Sequence, residues 1–486
     1  MDNIKKHTIS GLLWKFSERI GAQLVTFVVS IVLARLLSPE EYGTIGLVMA
    51  FIAIADIFVS RGFGNALIQK KDADHTDFST VFYCNILISL LLYAVVYFAA
   101  PLVSRFYEQE ILCPVLRVLG LKIVLAAINS IQGAYVSRNM LFKRFFWATL
   151  GGTITSAVAG IILAYKGAGI WALVAQYLVQ SFMSTLVLWV TVKWRPTWEF
   201  SISRLKPLFK FGWKLLSSSL IGEIINQLRS LIIGKFYDSS SLAFYNKGIS
   251  FPNLLLTNIN SSITAVMYPV MAKLQDDKQQ LKRYITTSIS YSTFLIAPAM
   301  MGMLAVAETM IEFLLTSKWL PCVPYLQVAC VYLIFQPVTI ITMDAIVAVG
   351  RSDLDLKFTL IKRTFAVALI FAASSYGVLA MTATDILVTI VALLLNSSRN
   401  RELFDMTVME YIQSFMPHVL RATVMAGAVM LLDQCLLSSV SLPILVKLIV
   451  QALVGVIAYI LICLITRCPE LNTFLSKFIK TRKADI

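Results

Sequence analysis

The sequence predicts an all-α integral membrane protein with about fourteen transmembrane helices, and three observations support this fold class. Of the 486 residues, 58% are hydrophobic and only 14% are charged, so the chain lacks the polar surface that a water-soluble protein of this size presents. Apolar runs of roughly 20 residues, the length that crosses about 30 Å of hydrocarbon, recur from Ser10 to Arg467. No stretch between these runs is long enough to form a soluble domain.

Charged positions and positions rich in Pro or Gly separate the predicted helices. In the first half the helices are predicted at residues 10–37, 43–69, 79–106, 112–137, 145–165 and 169–192. In the second half they are predicted at residues 208–236, 245–273, 283–316, 322–349, 357–375, 376–397, 413–436 and 441–466. The split between Ser374 and Gly377 divides two adjoining apolar runs, and twelve helices are the alternative count.

Basic residues distinguish the two sides of the predicted membrane domain. The net charge is +15, and Lys and Arg concentrate in alternate connections, in the linker of residues 193–210 and in the tail after residue 476. The opposite connections hold mainly Arg35, Arg105, Lys166, Lys235 and Lys318. Because cytoplasmic loops carry the excess of positive charge, both termini are predicted to be cytoplasmic, which requires an even number of helices. The first apolar run is too long for a signal peptide, so we expect no cleavage.

A faint internal repeat predicts the domain organisation. The segment that opens the seventh predicted helix, residues 209–221, resembles residues 8–14 at the start of the first, and Trp14-Lys15 aligns with Trp213-Lys214. An offset of six helices gives two halves that run in the same direction, as parallel repeats about an axis along the membrane normal. We therefore predict a first six-helix lobe at residues 1–207, a second at 208–410, and a final helix pair with a basic tail at 411–486.

Other kinds of protein chemistry lack their sequence signatures. Gly234-Lys235 lacks the earlier glycine of a phosphate-binding loop, and no HExxH or GxSxG string occurs. The seven cysteines show no CxxC spacing, and His7, His75 and His418 lie far apart in the chain. We therefore predict no enzymatic activity, no cofactor and no metal site. The positive charge follows the sides of a membrane, so we also predict no nucleic-acid partner.

Charged residues inside predicted spans indicate where a ligand binds, because each costs about 2.5 to 3.5 kcal/mol at the bilayer centre on insertion scales. In the first predicted lobe the cations match or outnumber the acids Glu18 and Asp56, and a cationic cavity attracts a phosphorylated substrate. The predicted cationic residues are Arg19, Arg61, Arg117, Lys122 and, in the seventh helix, Arg229. The alternative is that these residues hold helices together, with Asp56 compensating Arg61 and Glu18 compensating Arg19.

Polar side chains at helical spacing predict a surface for sugar hydroxyls and a site for ion coupling. Their amide and hydroxyl groups both donate and accept hydrogen bonds, and the predicted sugar contacts are Asn226, Asn253, Thr257 and Asn260. Glu223, near the middle of the seventh helix, and Asp56, near the middle of the second, are predicted to couple transport to an ion. For Glu223, a hydrogen bond to Arg229 or Asn226 is the competing role. Acids nearer predicted helix ends, such as Asp344, are expected to reach water.

Four strings identify a family resemblance: VLARLLSPEEYG (residues 32–43), FGNALIQKKD (63–72), MYPVMAKLQDD (267–277) and SKWLPCVPYLQV (317–328). The chain resembles the bacterial polysaccharide exporters, within them the Wzx-type and colanic-acid-type oligosaccharide flippases of the multidrug/oligosaccharidyl-lipid/polysaccharide flippase superfamily. The resemblance implies two six-helix lobes, a final helix pair and alternating access. It also implies a substrate oligosaccharide linked through pyrophosphate to a polyprenol. Arginines of the family's cavities are matched loosely by Arg19, Arg61 and Arg229.

The leading hypothesis is a transporter that flips a polyprenyl-diphosphate-linked oligosaccharide from the inner to the outer leaflet of the bacterial cytoplasmic membrane, for export of a cell-surface polysaccharide. Polysaccharide polymerase or export machinery is an expected partner. One alternative is a multidrug or cation antiporter of the same superfamily, whose substrates favour an acidic cavity. Another is a membrane polymerase or ligase, which is expected to carry a long external loop. A third is a non-transporting scaffold for glycan assembly, which tolerates neutralisation of its buried charges.

Overall fold

The computed structural model describes residues 14, 21–60, 63–70, 72–437, 442–471 and 473. All regular secondary structure within these residues is helical, which confirms the predicted all-α class. Ten helical stretches of this described part are long and apolar enough to cross a membrane, so the chain is a multi-pass membrane protein. They are Pro39–Ser60, His75–Tyr107, Leu112–Arg138, Phe142–Tyr165, Ile170–Thr191, Lys278–Ala305, Ser317–Ala348, Val378–Ser397, Val408–Leu437 and Ile444–Ile465.

The helices of the first part of the chain are α1 (Gly21–Leu36), α2 (Pro39–Ser60), α3 (Phe63–Gln69), α4 (His75–Tyr107), α5 (Leu112–Leu119), α6 (Leu121–Arg138), α7 (Phe142–Tyr165), α8 (Ile170–Thr191) and α9 (Ile202–Phe236). Next come α10 (Ser239–Lys273), α11 (Lys278–Ala305), α12 (Ala307–Leu315), a 3-10 turn (Ser317–Cys322), α13 (Val323–Leu333), α14 (Gln336–Ala348) and α15 (Ser352–Ala373). The last are α16 (Val378–Ser397), α17 (Asn400–Phe404), α18 (Val408–Gln413), α19 (Met416–Leu432), a π turn (Asp433–Leu437) and α20 (Ile444–Ile465).

The number of membrane-length stretches, ten among the described residues, is smaller than the fourteen predicted helices. Each predicted helix overlaps a described helix, and the four that are not among the ten correspond to α1, α9, α10 and α15. At 35 residues each, α9 and α10 are about 50 Å long and more than span a bilayer. These two helices carry many polar residues, as do helices that line a hydrated interior. The count of fourteen stays a prediction.

Two helix starts, about 200 residues apart in the chain, have side-chain caps. In SPEEYG, Ser38 and Glu41 form reciprocal hydrogen bonds, with the Ser38 amide 2.7 Å from Oε2 of Glu41 and the Glu41 amide 3.3 Å from the Ser38 hydroxyl. Such a capping box satisfies amides that the first helical turn leaves without partners. Two hundred residues later, Asp238 accepts a hydrogen bond from the amide of Ser241 at 3.0 Å, where α10 begins. Both helices, α2 and α10, therefore begin with a side-chain cap.

The described residues form two compact units, residues 1–243 and 244–486. In the first unit α7 packs against α8 so closely that a Cβ atom on Gly152 would lie 2.2 Å from the Ser184 hydroxyl. The start of α10 also approaches α2, where a Cβ on Gly43 would overlap the carbonyl oxygen of Ser239. Small residues allow this close helix packing within membranes.

The second unit packs α11 against α19 and α20. Ala297 and Met425 are buried there, and the Tyr459 hydroxyl donates to the carbonyl oxygen of Phe294 at 3.0 Å, which connects α20 to α11. Near the start of the unit, a Cβ on Gly248 of α10 would lie 2.7 Å from the carbonyl oxygen of Cys322. The fold of this unit therefore also depends on close backbone contacts.

The boundary between the units follows Ala243, whereas the basic linker predicts a lobe boundary after residue 207. The difference arises because α9 packs against α2, α3 and α4 in the first unit. Division into functional lobes at residues 207 and 410 stays a prediction. Prolines differ in position: Pro101, Pro252 and Pro298 lie inside helices, whereas Pro337 lies in the first turn of α14, where its missing N–H costs no helical hydrogen bond.

Candidate functional site

An ion pair joins α2 and α6 in the first unit. Nζ of Lys122 lies 3.7 Å from Oδ2 of Asp56, and the two side chains are 23% and 26% exposed. Lys122 is the eleventh residue of the 27-residue span Leu112–Arg138, about 15 Å from its start and near the middle of a bilayer of about 30 Å. The other carboxylate oxygen of Asp56 is buried without a hydrogen-bond partner among the described residues. A partly exposed pair at this depth requires polar surroundings.

The sequence did not reveal this pairing. The alternative interpretation pairs Asp56 with Arg61, whereas the partner among the described residues is Lys122 on another helix. Arg61 and Arg19 lie outside the described residues, so their predicted roles stay predictions. The Asp56–Lys122 contact joins residues that are distant in the chain, and no spacing rule within a helix predicts such a contact.

Arg117 is bound to the preceding helix. Its Nε donates to the carbonyl oxygen of Tyr97 at 3.2 Å, and its guanidinium carbon lies 4.3 Å from the centre of the Tyr97 ring. A carbonyl and an aromatic face stabilise a cation without neutralising its charge. No carboxylate of the described residues pairs with Arg117, which lies five residues before Lys122 in the chain.

Helix α9 carries the predicted coupling residue and the fifth predicted cation. Oε1 of Glu223 accepts a hydrogen bond from Nε2 of Gln227 at 2.7 Å, one helical turn away. Asn226 is exposed, whereas Arg229 is buried with 8% of its surface exposed. The carboxylate and the guanidinium thus lie in different environments on one helix.

The predicted sugar contacts of α10 lie in the second unit and differ in how far their hydrogen bonds are satisfied. Nδ2 of Asn253 donates to the carbonyl oxygen of Ile249 at 2.9 Å, and the Thr257 hydroxyl donates to the carbonyl oxygen of Asn253 at 2.8 Å. Asn260 instead reaches α14, where its Nδ2 donates to Oε1 of Gln336 at 3.0 Å. The Asn260 carbonyl oxygen is buried without a partner among the described residues, so it remains able to accept a hydrogen bond.

Two further polar groups, Gln336 and Asp344 of α14, were not among the predicted site residues. Gln336 was not singled out, since nothing in the sequence pairs it with Asn260. Asp344, on the same helix as Gln336, was expected to reach water, but its Oδ2 atom is buried and forms no hydrogen bond with the described residues. Asp344 lies four residues before the end of α14, so the sequence alone favoured contact with water. Both groups add polar atoms to α14.

A buried polar cluster connects the middle of α11, the start of α19 and the segment that follows α20. The Ser290 hydroxyl lies 2.8 Å from Nε2 of His418 and 2.5 Å from Oε1 of Glu470, and the Cys468 thiol donates to Oε2 of Glu470 at 3.1 Å. Burial opposes ionisation of Glu470, but the hydrogen bonds from Ser290 and Cys468 outweigh it and hold the pKa of Glu470 below its ordinary value. The carboxylate is therefore ionised at neutral pH.

The cluster also contains donor atoms that suit a metal ion, within 4.8 Å of one another on His418, Cys468 and Glu470. However, the guanidinium of Arg421 lies 3.2 Å from Nδ1 of His418 and 3.6 Å from the Cys468 sulfur. The positive charge of Arg421 therefore lies beside His418 and Cys468 and opposes a second cation there. The arrangement therefore acts as a hydrogen-bonded connection between helices, and it does not fit a metal ion.

Comparison with known proteins gives the family. A family model described as "Polysaccharide biosynthesis protein" matches residues 32–324. The lipopolysaccharide biosynthesis protein WzxC of Escherichia coli K12 is 25% identical over 402 residues, which cover 81% of each chain. The teichuronic acid biosynthesis protein TuaB of Bacillus subtilis 168 is 26% identical, over 73% of this chain and 74% of its own.

Solved structures agree on the fold. The lipid II flippase MurJ in an inward closed conformation superposes with a TM-score of 0.70 at 16% identity, covering 94% of this chain and 99% of its own. An inward-facing multidrug resistance MATE family transporter of the MOP superfamily gives a TM-score of 0.58, covering 83% and 95%. At this identity the likeness concerns the fold alone, and it agrees with the all-α membrane fold that the sequence predicts. Since the family model covers more than half of the sequence, the chain belongs to the polysaccharide biosynthesis protein family.

Proposed function

We propose that this protein flips a polyprenyl-diphosphate-linked oligosaccharide from the inner to the outer leaflet of the bacterial cytoplasmic membrane by alternating access. The observation that carries the proposal is a partly exposed lysine–carboxylate pair at mid-depth in a member of this family. A purely apolar interior gives no reason to keep a lysine there, whereas a diphosphate headgroup does.

The residues have distinct proposed roles. Lys122 and Arg117 attract the diphosphate, together with Arg19, Arg61 and Arg229. Asn226, Asn253, Thr257 and Asn260 form hydrogen bonds with sugar hydroxyls, for which Asn260 offers a carbonyl oxygen that lacks a described partner. Glu223 and Asp56 couple the movement to an ion. Both termini are proposed to be cytoplasmic, and polymerase or export machinery is the proposed partner.

The multidrug antiporter is the weaker alternative. A carrier of organic cations needs uncompensated carboxylates in its cavity, but Asp56 is paired with Lys122 at 3.7 Å. In the first unit, Asp56, Lys122 and Arg117 together carry a net positive charge, which favours a diphosphate over a cationic drug. A drug-susceptibility panel on a deletion strain is expected to show no change.

A clean deletion strain tests the proposal. Cells that lack the chain are expected to accumulate lipid-linked repeat units accessible only from the cytoplasmic side and to lose the surface polymer. Complementation by the wild-type chain should restore the polymer. Unchanged surface polymer in a strain without a redundant exporter would contradict transport, and normal polymer with changed drug resistance would favour the antiporter.

A further inference from the structure

A polar pocket of about 610 Å³ opens in the first unit between the start of α4, the end of α6 and the linker of residues 192–201. It is separate from the Asp56–Lys122 pair and lies on the side that the positive-inside rule assigns to the cytoplasm. The linker is held against α4, because the Thr197 amide donates to the Ser79 hydroxyl at 3.1 Å and the Ser201 amide donates to the Thr80 hydroxyl at 3.2 Å. The pocket therefore has a defined shape.

The charge of the pocket lining is predominantly positive. Arg138, Lys193 and Arg195 all line the pocket. NH1 of Arg195 donates to the carbonyl oxygens of Val192 and Trp194 at 2.6 and 2.7 Å, and NH1 of Arg138 donates to that of Leu67 at 2.8 Å. Carbonyl oxygens orient a guanidinium without cancelling its charge. Lys193 is exposed and forms no hydrogen bond or ion pair with the described residues.

The carboxylate in the lining is already neutralised. Asp74 caps the start of α4 by accepting from the amide of Asp77 at 2.9 Å, and it forms an ion pair with Arg204. The hydrogen bond from Arg204 holds the pKa of Asp74 below its ordinary value. Asp74 therefore repels an incoming anion less than its position suggests.

A buried donor in the lining lacks an acceptor. Trp194 lines the pocket and is 5% exposed, with its ring stacked on Tyr135 and packed against Phe78. Its indole N–H is buried and has no hydrogen-bond partner among the described residues. An indole nitrogen can only donate, and a buried donor without an acceptor is costly. A ligand oxygen that reaches the indole N–H from the pocket would satisfy it.

We propose that this pocket binds a phosphate-bearing anion, and that in the cell the ligand is the phosphodiester headgroup of an anionic phospholipid. Lys193 supplies the mobile charge, Arg138 and Arg195 the fixed charge, and Trp194 the buried donor. The headgroup source is favoured because neighbouring Trp198 is 96% exposed and stacks on Tyr83, as expected of a tryptophan in the headgroup layer. The site does not depend on which substrate the chain transports.

The test is native mass spectrometry of the purified full-length chain in mild detergent, titrated with phosphatidylglycerol, phosphatidylcholine or inorganic phosphate. Wild-type protein is expected to retain phosphatidylglycerol and not phosphatidylcholine. Lys193→Gln is expected to weaken that binding about fivefold, the contribution of one basic residue at an anionic headgroup. Trp194→Phe keeps the ring, removes the N–H and is expected to weaken binding as well. Lys206→Gln, at an exposed lysine outside the pocket, is the matched control and should leave binding unchanged.

Each outcome either supports the proposed phospholipid site or overturns it. Equal retention of phosphatidylcholine, or an equal loss in Lys206→Gln and Lys193→Gln, would overturn the site, because general surface charge would then explain the binding. Binding of inorganic phosphate without phosphatidylglycerol would support the anion chemistry and overturn the phospholipid source. Should Trp194→Phe fail to give a monodisperse protein, Lys193→Gln and its control still decide the result.

Discussion

The Asp56–Lys122 pair offers a perturbation that separates a structural role from a transport role. At 3.7 Å two unit charges attract by about 4.5 kcal/mol at an effective dielectric constant of 20, and by about 1.1 kcal/mol in bulk water. Because both side chains are about a quarter exposed, the stability lost on breaking the pair is expected to lie between these limits, near 2 kcal/mol. Lys122→Met should show this loss because it leaves the carboxylate at mid-depth without a cation.

The double variant Asp56→Asn with Lys122→Met removes both charges together. Its stability, measured by thermal unfolding in detergent, is expected to return to within about 0.5 kcal/mol of wild type because no charge is left uncompensated. In a deletion strain complemented with the double variant, export of surface polymer should remain well below that of wild type, because the lysine proposed to bind the diphosphate is absent. Normal export by the stable double variant would refute the reasoning and leave the pair with a purely structural role.

Three further predictions concern other parts of the molecule. Gly152→Val is expected to lower the stability by about 2 kcal/mol or more because its side chain overlaps Ser184; Gly427→Ala, with no neighbour near its Cβ, is the control in the same thermal assay. Glu223→Gln should preserve expression and abolish the dependence of export on the proton gradient, measured with and without an uncoupler; unchanged dependence would exclude Glu223 as the coupling residue. Asp74, whose pKa is lowered in the fold, stabilises the protein above about pH 4, and this stabilisation is lost as the pH falls through its folded pKa. Asp74→Asn should therefore reduce the acid-induced part of the stability loss.

The fold class was predictable because the cost of leaving backbone groups without hydrogen bonds in lipid dominates the energetics of the chain. An apolar run such as residues 444–465 cannot satisfy its backbone in lipid except as a helix, and its length is visible in the sequence. Helix starts were also encoded locally, as Ser38 and Glu41 show. Interruptions were harder to predict: the span predicted at residues 112–137 is divided at Gly120, whose Cβ would lie 3.1 Å from the Tyr93 ring of α4. The close approach of α4 favours a glycine at this position, and the sequence alone does not reveal it.

The sequence predicted the types of residue in the candidate site, but it did not predict their contacts. The sequence indicated which charged residues lie at mid-depth, because charge in an apolar run is visible by inspection. It did not show that Lys122 pairs with Asp56, that Asn260 meets Gln336, or that His418 meets Glu470. These contacts join residues far apart in the chain, and their geometry depends on how the helices pack. Local patterns contain no information about such partners.

The most direct test of the transport proposal is a flipping assay in reconstituted vesicles. Purified protein and a polyprenyl-diphosphate-linked oligosaccharide are incorporated into liposomes, and an added sugar-modifying reagent reports how fast the oligosaccharide moves between leaflets. The account predicts that wild-type protein speeds this movement well above protein-free vesicles and that the Asp56→Asn, Lys122→Met double variant does not. Movement in wild-type vesicles no faster than in protein-free vesicles, under an imposed ion gradient, would contradict it.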